Sequence, residues 1–433
     1  MKQLTRLFIP ICLETLFYML SGMVDTLMLS AVGDYAVGAV GTANSYIGIF
    51  IIMFSIISSG MVSVMTQNIG AGRPGVAYQA RQLGLLFNAV AGVLMAVFLF
   101  SGAGAILRMV GIADALYEPA LIYLKIVGGG CILNAVIPIF SSYLRAFGYT
   151  KQPLYATIVG NIANFVMNAV FLFVLHKGVA GVATATVISK ILNLCIVLYF
   201  SHKLISAKNS TERIANKTVL GQIVKVGLPS ACETALYNVA MMLVIRFLNQ
   251  MDAEGLNVTA RSYTATISNF SYCVGAALAQ ANAIMTGWHI GAGELEECDR
   301  GTKRAAFVGV CVAVCMTAIV LGSGFIMPLF TDNPEMTALV RKLLAIDIVL
   351  EIGRVTNLVF GQALKTSGDA VFPAVIAAVF MFVFAVGGTW LFGISMGLMA
   401  VGAYIGLASD ECVRAVGMVW RWKTGKWRTK KLV

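Results

Sequence analysis

Pro10-Ile-Cys-Leu-Glu14-Thr-Leu-Phe-Tyr18 and Pro229-Ser-Ala-Cys-Glu233-Thr-Ala-Leu-Tyr237 are one stretch written twice. Two further matches keep the same order. Ile69-Gly-Ala-Gly72 returns as Ile290-Gly-Ala-Gly293. Leu144-Arg-Ala-Phe-Gly148, with Pro153 behind it, returns as Leu364-Lys-Thr-Ser-Gly368, with Pro373 behind it. Chance can supply one such match, but three in order at a shift of about 220 residues mark an internal duplication. The join falls in the polar stretch 202–218, rich in Lys, Asn and Ser and free of apolar periodicity. The halves are therefore expected over 1–201 and 219–421, with 202–218 as a cytoplasmic linker and 422–433 as a basic cytoplasmic tail.

Each half is apolar nearly throughout. Of the 433 residues 59% are hydrophobic and only 12% charged, about half the charged share of a soluble domain. A chain this apolar cannot cover itself with polar surface, so much of its exterior must face lipid. A crossing helix takes about 20 mostly apolar residues. Such windows recur at 4–30, 37–67, 77–107, 115–146, 152–175 and 178–201, and again at 219–250, 256–288, 301–330, 338–366, 371–394 and 397–421. The expected fold is an all-α polytopic membrane protein with twelve transmembrane helices in two pseudo-symmetric six-helix lobes. An even number of spans per half gives both copies the same orientation in the membrane. Parallel repeats of this kind form two lobes with a central cleft, and rocking gives alternating access.

The net charge of +11 is a topology signal. With the N-terminus inside, the inner segments collect Lys2, Arg6, Arg73, Arg81, Arg145, Lys151 and the tail, whereas only Arg108, Lys177, Arg341 and Lys342 fall on the opposite side. The positive-inside rule then places both termini in the cytoplasm of a bacterial inner membrane. The tail from Arg421 to Lys431 reads as a membrane-surface anchor, with Trp420, Trp422 and Trp427 at the headgroups, in preference to a nucleic-acid binder. Glu14 interrupts the first apolar run and no small-x-small cleavage site follows it, so the first helix is expected to stay on the chain. The nine cysteines are scattered and contain no CxxC, implying neither a disulfide framework nor a metal. Cys311 and Cys315 share a helix face and read as small packing residues. The three histidines sit near span ends, and no phosphate-cradling loop is present. Neither an enzyme nor an ATP-driven pump is expected.

The order of several short motifs resembles the multidrug and toxic compound extrusion (MATE) family across nearly the full length. The carriers are Gly22-Met-Val-Asp25-Thr-Leu-Met28 in the first span and Gly70-Ala-Gly72 after the second. Asn161-Ile-Ala-Asn164-Phe-Val-Met-Asn168 in the fifth and Gly181-Val-Ala-Thr-Ala-Thr186 in the sixth add to them, with Leu364-Lys-Thr-Ser-Gly-Asp369 in the second half. Glu351-Ile-Gly-Arg354 and Asp410-Glu-Cys-Val-Arg414 look like one bacterial branch of that family. The resemblance implies cation-coupled export of drugs and other amphipathic organic molecules. It also implies a first-lobe ion site on Asp25, Asn164, Asn168 and Thr186. Some members carry a second carboxylate where Asn168 stands, so this site would hold one ionisable group. Members with a second-lobe sodium site have carboxylates where this chain carries Tyr237 and Arg354. A cation site cannot tolerate an arginine at its centre, so that second site is expected to be absent.

The residues themselves support the first-lobe site. A carboxylate inside a span is costly unless hydrated, partnered or protonated. Asn164 and Asn168 are four apart and share a helix face, where amides can donate to a carboxylate or accept from a carboxylic acid. The alternative is that they are interhelical packing groups. Glu14 and Glu233 each follow a helix-bending proline, Pro10 and Pro229, by four residues. They are either cleft or gating groups that attract a cationic substrate, or a solvated pair in the inner vestibule. Glu351 with Arg354 and Glu411 with Arg414 are three apart and form a possible second-lobe charge network. If instead some arginines face the cleft unpaired, an anionic or zwitterionic substrate follows, because the Arg fork suits carboxylate and phosphate.

The expected function is a secondary antiporter exporting small amphipathic compounds in exchange for H+ or Na+. A lipid-linked oligosaccharide flippase of related architecture is the alternative. No cofactor beyond the coupling ion is expected. The partners would be a small organic substrate and membrane lipid, without nucleic acid, and the chain would act as a monomer.

Overall fold

The computed structural model describes residues 2–205, 212–252, 255–322 and 332–433. The expected linker and the far end of the expected span 301–330 lie partly outside the described residues. The helices are α1 (Lys2–Ser30), α2 (Asp34–Gly70), α3 (Pro74–Val110), α4 (Asp114–Gly129), α5 (Cys131–Ala146), α6 (Lys151–Ala169) and α7 (Gly178–Leu204). After these come α8 (Asn216–Met251), α9 (Leu256–Ala292), α10 (Leu295–Gly322), α11 (Pro334–Ser367), α12 (Val371–Phe380) and α13 (Met399–Lys423). There is no strand among the described residues. Eight helices are long and apolar enough to cross a membrane, and α4 with α5 adds a ninth as a pair bent by 42°. The remaining rods are more polar: α11 and α13 carry buried charges, Asp347, Glu351, Asp410, Glu411 and Arg414, and α9 carries buried Asn, Ser and Thr side chains. The expected fourth span is thus broken, and the break falls at Gly128-Gly129-Gly130, where helix propensity is weakest.

The chain packs as two compact units, Thr5–Gly227 and Leu228–Val433, the second joined by the first four residues. In the first unit α2 and α3 pack on α4 and α5, while α7 lies against α4, α5 and α6. The buried stripe sets small residues, Ala36, Ala39 and Ala43 on α2 and Ala103 on α3, beside Leu99 and Leu107, all at helical spacing. The opposite face of α3 exposes Leu86, Val90, Leu94 and Phe98. Lipid tails are as apolar as leucine, so close approach through small side chains, rather than hydrophobicity, holds such helices together. The tightest approach is between α2 and the first three turns of α8. A methyl group on Gly227 would overlap the carbonyl of Ile56, and one on Gly60 the carbonyl of Ile223. The Gln79 side chain ties down the preceding segment, donating to the Ile214 carbonyl at 2.7 Å and accepting from its amide at 3.2 Å.

In the second unit α11 packs against α9, α10 and α13. Gly353 lies directly on the backbone of Glu411 and Cys412, which brings the charged faces of α11 and α13 together. Gly402 and Gly406 seat α13 on the segment that continues α12, against Phe392 and Gly388. That segment is wound wider than an α-helix over Met381–Val386 and Thr389–Ser395, and the corresponding place after α6 is wound the same way over Val170–Val174. Leu175 donates to Val170 and Met396 to Leu391, both at 2.9 Å and five residues back. The duplication therefore extends to helical irregularities, which recur at functional sites.

The tail is not a headgroup anchor. Trp422 and Trp427 are both 1% exposed and stack at 4.2 Å between ring centres. Their indole N–H groups need acceptors once buried. Trp422 finds Asp299 at 2.7 Å and Trp427 the Trp422 carbonyl at 3.0 Å. Arg421 clamps Asp369 through two hydrogen bonds of 2.7 and 3.2 Å. Gly368, at φ +98°, lies under the Lys430 carbonyl where no side chain fits. Of the three tryptophans, Trp420 alone is exposed. Cys311 and Cys315 also differ from expectation, since both are exposed on the outward face of α10 instead of packing inside.

Candidate functional sites in the two halves

In the first unit α1 brings Asp25 against α6. Asn168 donates its amide to Asp25 Oδ1 at 2.8 Å and shares it with Asn164 Oδ1 at 3.1 Å. Two turns before Asn168, Asn161 donates to the Phe17 carbonyl at 2.9 Å, so α6 holds α1 by a ladder of amides. The Asn168 carbonyl oxygen is fully buried and has no hydrogen-bond partner among the described residues. That is a costly arrangement unless something donates to it. Thr186 does not reach Asp25; its hydroxyl donates to Val182 O at 2.9 Å and stands beside Tyr123.

Two groups near Asp25 escaped the sequence reading. Tyr123 on α4 sits between Asn44 and Thr186 and close enough to feel Asp25. Lys190 on α7 acts electrostatically on Asp25 and donates to Asn134 Oδ1 at 2.8 Å. The signal for Lys190 was its place four residues after Thr186, on the same helix face.

The repeat-matched carboxylates are each paired with a repeat-matched base. Glu14 bonds Arg145 at 2.5 Å, and Glu233 bonds Lys365 at 2.7 Å. Arg145 and Lys365 are the basic residues of the third duplicated motif, so the pair itself was duplicated. Each carboxylate therefore already holds the positive charge that a cationic substrate would supply. α1 and α8 pass through Pro10 and Pro229 without interruption. Both members of the first pair are less than a fifth exposed. Arg145→Ala is expected to destabilise the protein by about 3 kcal/mol, because it strands a mostly buried carboxylate. The exchanged variant Glu14→Arg with Arg145→Glu should recover most of that loss in thermal unfolding of the purified protein.

In the second unit α8, α9, α11 and α13 enclose a cavity of about 450 Å³ with charges of both signs on its wall. The expected intrahelical pairs are present. Arg354 bonds Glu351 at 2.5 Å, and Arg414 bonds Glu411 at 2.9 Å. They are also joined across helices, with Arg354 3.9 Å from Glu411 and Asn357 donating to Glu411 at 3.0 Å. Arg414 additionally grips Asp410 through two bonds of 3.0 and 2.7 Å. Behind them Ser271 donates to Glu351 at 3.0 Å. Sequence reasoning stopped at Glu351 and missed Asp347 one turn before it, whose carboxylate accepts from Ser268 at 2.6 Å. Tyr237 lines the same cavity.

Comparison with known proteins places this geometry in a family. The MatE family model matches residues 10–170 and again 229–391, one copy starting at each duplicated proline. An uncharacterized transporter of Bacillus subtilis, YisQ, is 33% identical over 431 residues, covering 97% of this chain and 94% of its own length. A probable multidrug resistance protein of Thermotoga maritima, NorM, is 20% identical over 450 residues, covering all of this chain and 94% of its own. Among solved structures, a MATE protein in a bent conformation superposes with a TM-score of 0.85 at 20% identity, covering 99% of this chain and 96% of that one.

Proposed function

The chain belongs to the MatE family of multi-pass membrane transporters, and from that premise we propose that it is a secondary antiporter exporting small amphipathic organic molecules in exchange for a proton carried on Asp25. The observation that carries the reading is the pairing of Asp25 with Asn168, whose own carbonyl oxygen is buried without a donor. With Asp25 ionised, the Asn168 amide makes a charge-assisted bond to it, roughly twice as strong as a neutral one. Protonation weakens that bond and creates a new donor, the carboxylic O–H, beside an oxygen that lacks one. The exchange loosens α1 from one amide and offers it another hold. That is a means for α1 to shift against α6 as the ion arrives.

Lys190 favours the proton over sodium. A sodium ion needs several oxygen ligands around the carboxylate, and an ammonium acting on the same carboxylate repels it. A proton adds no second cation of fixed position; it only neutralises Asp25. The basic inner segments favour an N-terminus and C-terminus in the cytoplasm, with the substrate entering from that side or from the inner leaflet.

The test uses proteoliposomes loaded with ethidium. A pH gradient at equal sodium on both sides should drive its movement, and a sodium gradient at equal pH should leave it at the protein-free background. Movement driven by sodium alone would remove the proton and the argument from Lys190 with it.

A further inference from the structure

The charges on the wall of the second-unit cavity are not all spoken for. Glu233 with Lys365, and Arg354 and Arg414 with Glu411 and Asp410, form ion pairs. Two lining charges remain outside this network. Asp347 accepts from the Ser268 hydroxyl at 2.6 Å and feels Arg354 from beyond ion-pair distance, and the Arg261 guanidinium meets the Met241 sulfur at 4.0 Å and acts on Tyr404. Neither takes part in an ion pair within 4.0 Å among the described residues, although both line one cavity.

Desolvating a charge is expensive, and a charged group that lines a cavity with no opposite charge in direct contact can take one from a ligand. Here two such groups of opposite sign line the same cavity. Their spacing is set by α9. Arg261 and Ser268 are seven residues apart, two turns along one face, or about 10 Å along the helix axis. Ser268 holds Asp347 directly, so the anionic anchor lies about two turns from the root of the cationic one. An α-amino acid carries both charges on one carbon and cannot serve both anchors. A molecule charged at opposite ends can, and a cavity of about 450 Å³ is of a size for a small organic ligand. On the same lining, Tyr237, Tyr272, Leu350, Leu358 and Leu407 offer apolar wall for an amphipathic body.

We propose that this cavity binds end-charged zwitterions of short-peptide size, the carboxylate on the Arg261 guanidinium and the ammonium on the Asp347 carboxylate. The proposal rests on the transporter reading and names its substrate class. Cations and anions of the same size leave one anchor unanswered, and specificity follows from that unpaired charge.

The probe is the dipeptide Ala-Phe in three forms: with both ends free, N-acetylated so that only the carboxylate remains, and C-amidated so that only the ammonium remains. Equilibrium binding to the purified full chain in nanodiscs is measured by calorimetry, with no ion gradient. The free dipeptide should bind at least tenfold more tightly than either capped form. Arg261→Gln should erase its advantage over the amide while keeping its advantage over the N-acetyl form. Asp347→Asn should do the reverse, and Arg261→Lys should restore part of the first preference. Selective loss of one preference separates binding from misfolding, which weakens all three forms together.

Equal binding of the three forms, no binding of any, or a uniform loss in correctly folded variants would overturn the proposal. If Asp25→Asn still transports normally under a pH gradient while the dipeptide preferences hold, the coupling site fails and the zwitterion cavity stands.

Discussion

Asp25→Asn is expected to leave the protein folded and inserted in the membrane yet unable to accumulate substrate against its gradient. The substitution keeps the size of the side chain and retains an oxygen for the Asn168 amide, which sits 2.8 Å from Asp25 Oδ1. It removes the only feature that a proton can change. For a substrate without net charge, each exchanged proton moves one charge across the membrane. That charge gains about 2.3 kcal/mol per 100 mV, equivalent to a concentration ratio of about fifty. The variant should lose this whole factor and fall to passive equilibration, whereas its thermal midpoint should stay near that of the wild type. Efflux from vesicles with an imposed potential reads the first quantity, and unfolding of the same preparation reads the second. Retained accumulation in the variant would assign coupling elsewhere, with Asp347 and Glu351 as the next carboxylates to replace.

The largest loss of stability is expected at the crossing of α2 with α8. A methyl group at Gly227 meets the Ile56 carbonyl, and one at Gly60 meets the Ile223 carbonyl. Both obstacles are backbone inside helices, so no rotamer change relieves them and the helices must separate. Overpacking costs about 1–3 kcal/mol even where side chains can yield. Gly227→Ala should therefore lie at or beyond the upper end of that range. Gly48→Ala on α2 and Gly221→Ala on α8 are the controls, since nothing stands within 4 Å of either added methyl. These should be neutral or gain up to about 1 kcal/mol from better helix propensity. The double variant Gly60→Ala with Gly227→Ala should cost less than the sum of its parts, because the first separation makes room for the second.

The duplication and the spans were legible because both are written in local sequence. A repeated Pro-x-x-x-Glu and a run of twenty apolar residues need no partner to be recognised. The break between α4 and α5 was partly legible, since three glycines in a row stand at it, but the length of the apolar window masked them. Asp25, Asn164 and Asn168 were legible as a set through the family resemblance, and the spacing of the two amides on one helix face agrees with it. Lys190 and Tyr123 were not, because their distance from Asp25 is fixed by how α4 and α7 rotate about their axes, which hydropathy does not record. Arg145 and Lys365 could be seen as repeat partners, yet nothing in the spacing says that each meets the glutamate of its own half. The tail misled for a related reason. Trp422 and Trp427 have the composition of a headgroup belt, and only the positions of Asp299 and Gly368 in the folded unit turn them inward. Asp347 carries no such signal, because spacing along α11 marks only Glu351 and Arg354 as a pair and the serine that holds Asp347 belongs to another helix.

The central claim is that substrate and proton exchange through Asp25, and its most direct measurement is proton movement itself. Vesicles containing the purified protein and a trapped pH-sensitive dye receive substrate on one side, with no gradient imposed beforehand. The wild type is expected to carry protons opposite to the substrate, and Asp25→Asn to bind the substrate while moving no protons. Proton movement of the same size in Asp25→Asn would contradict the claim.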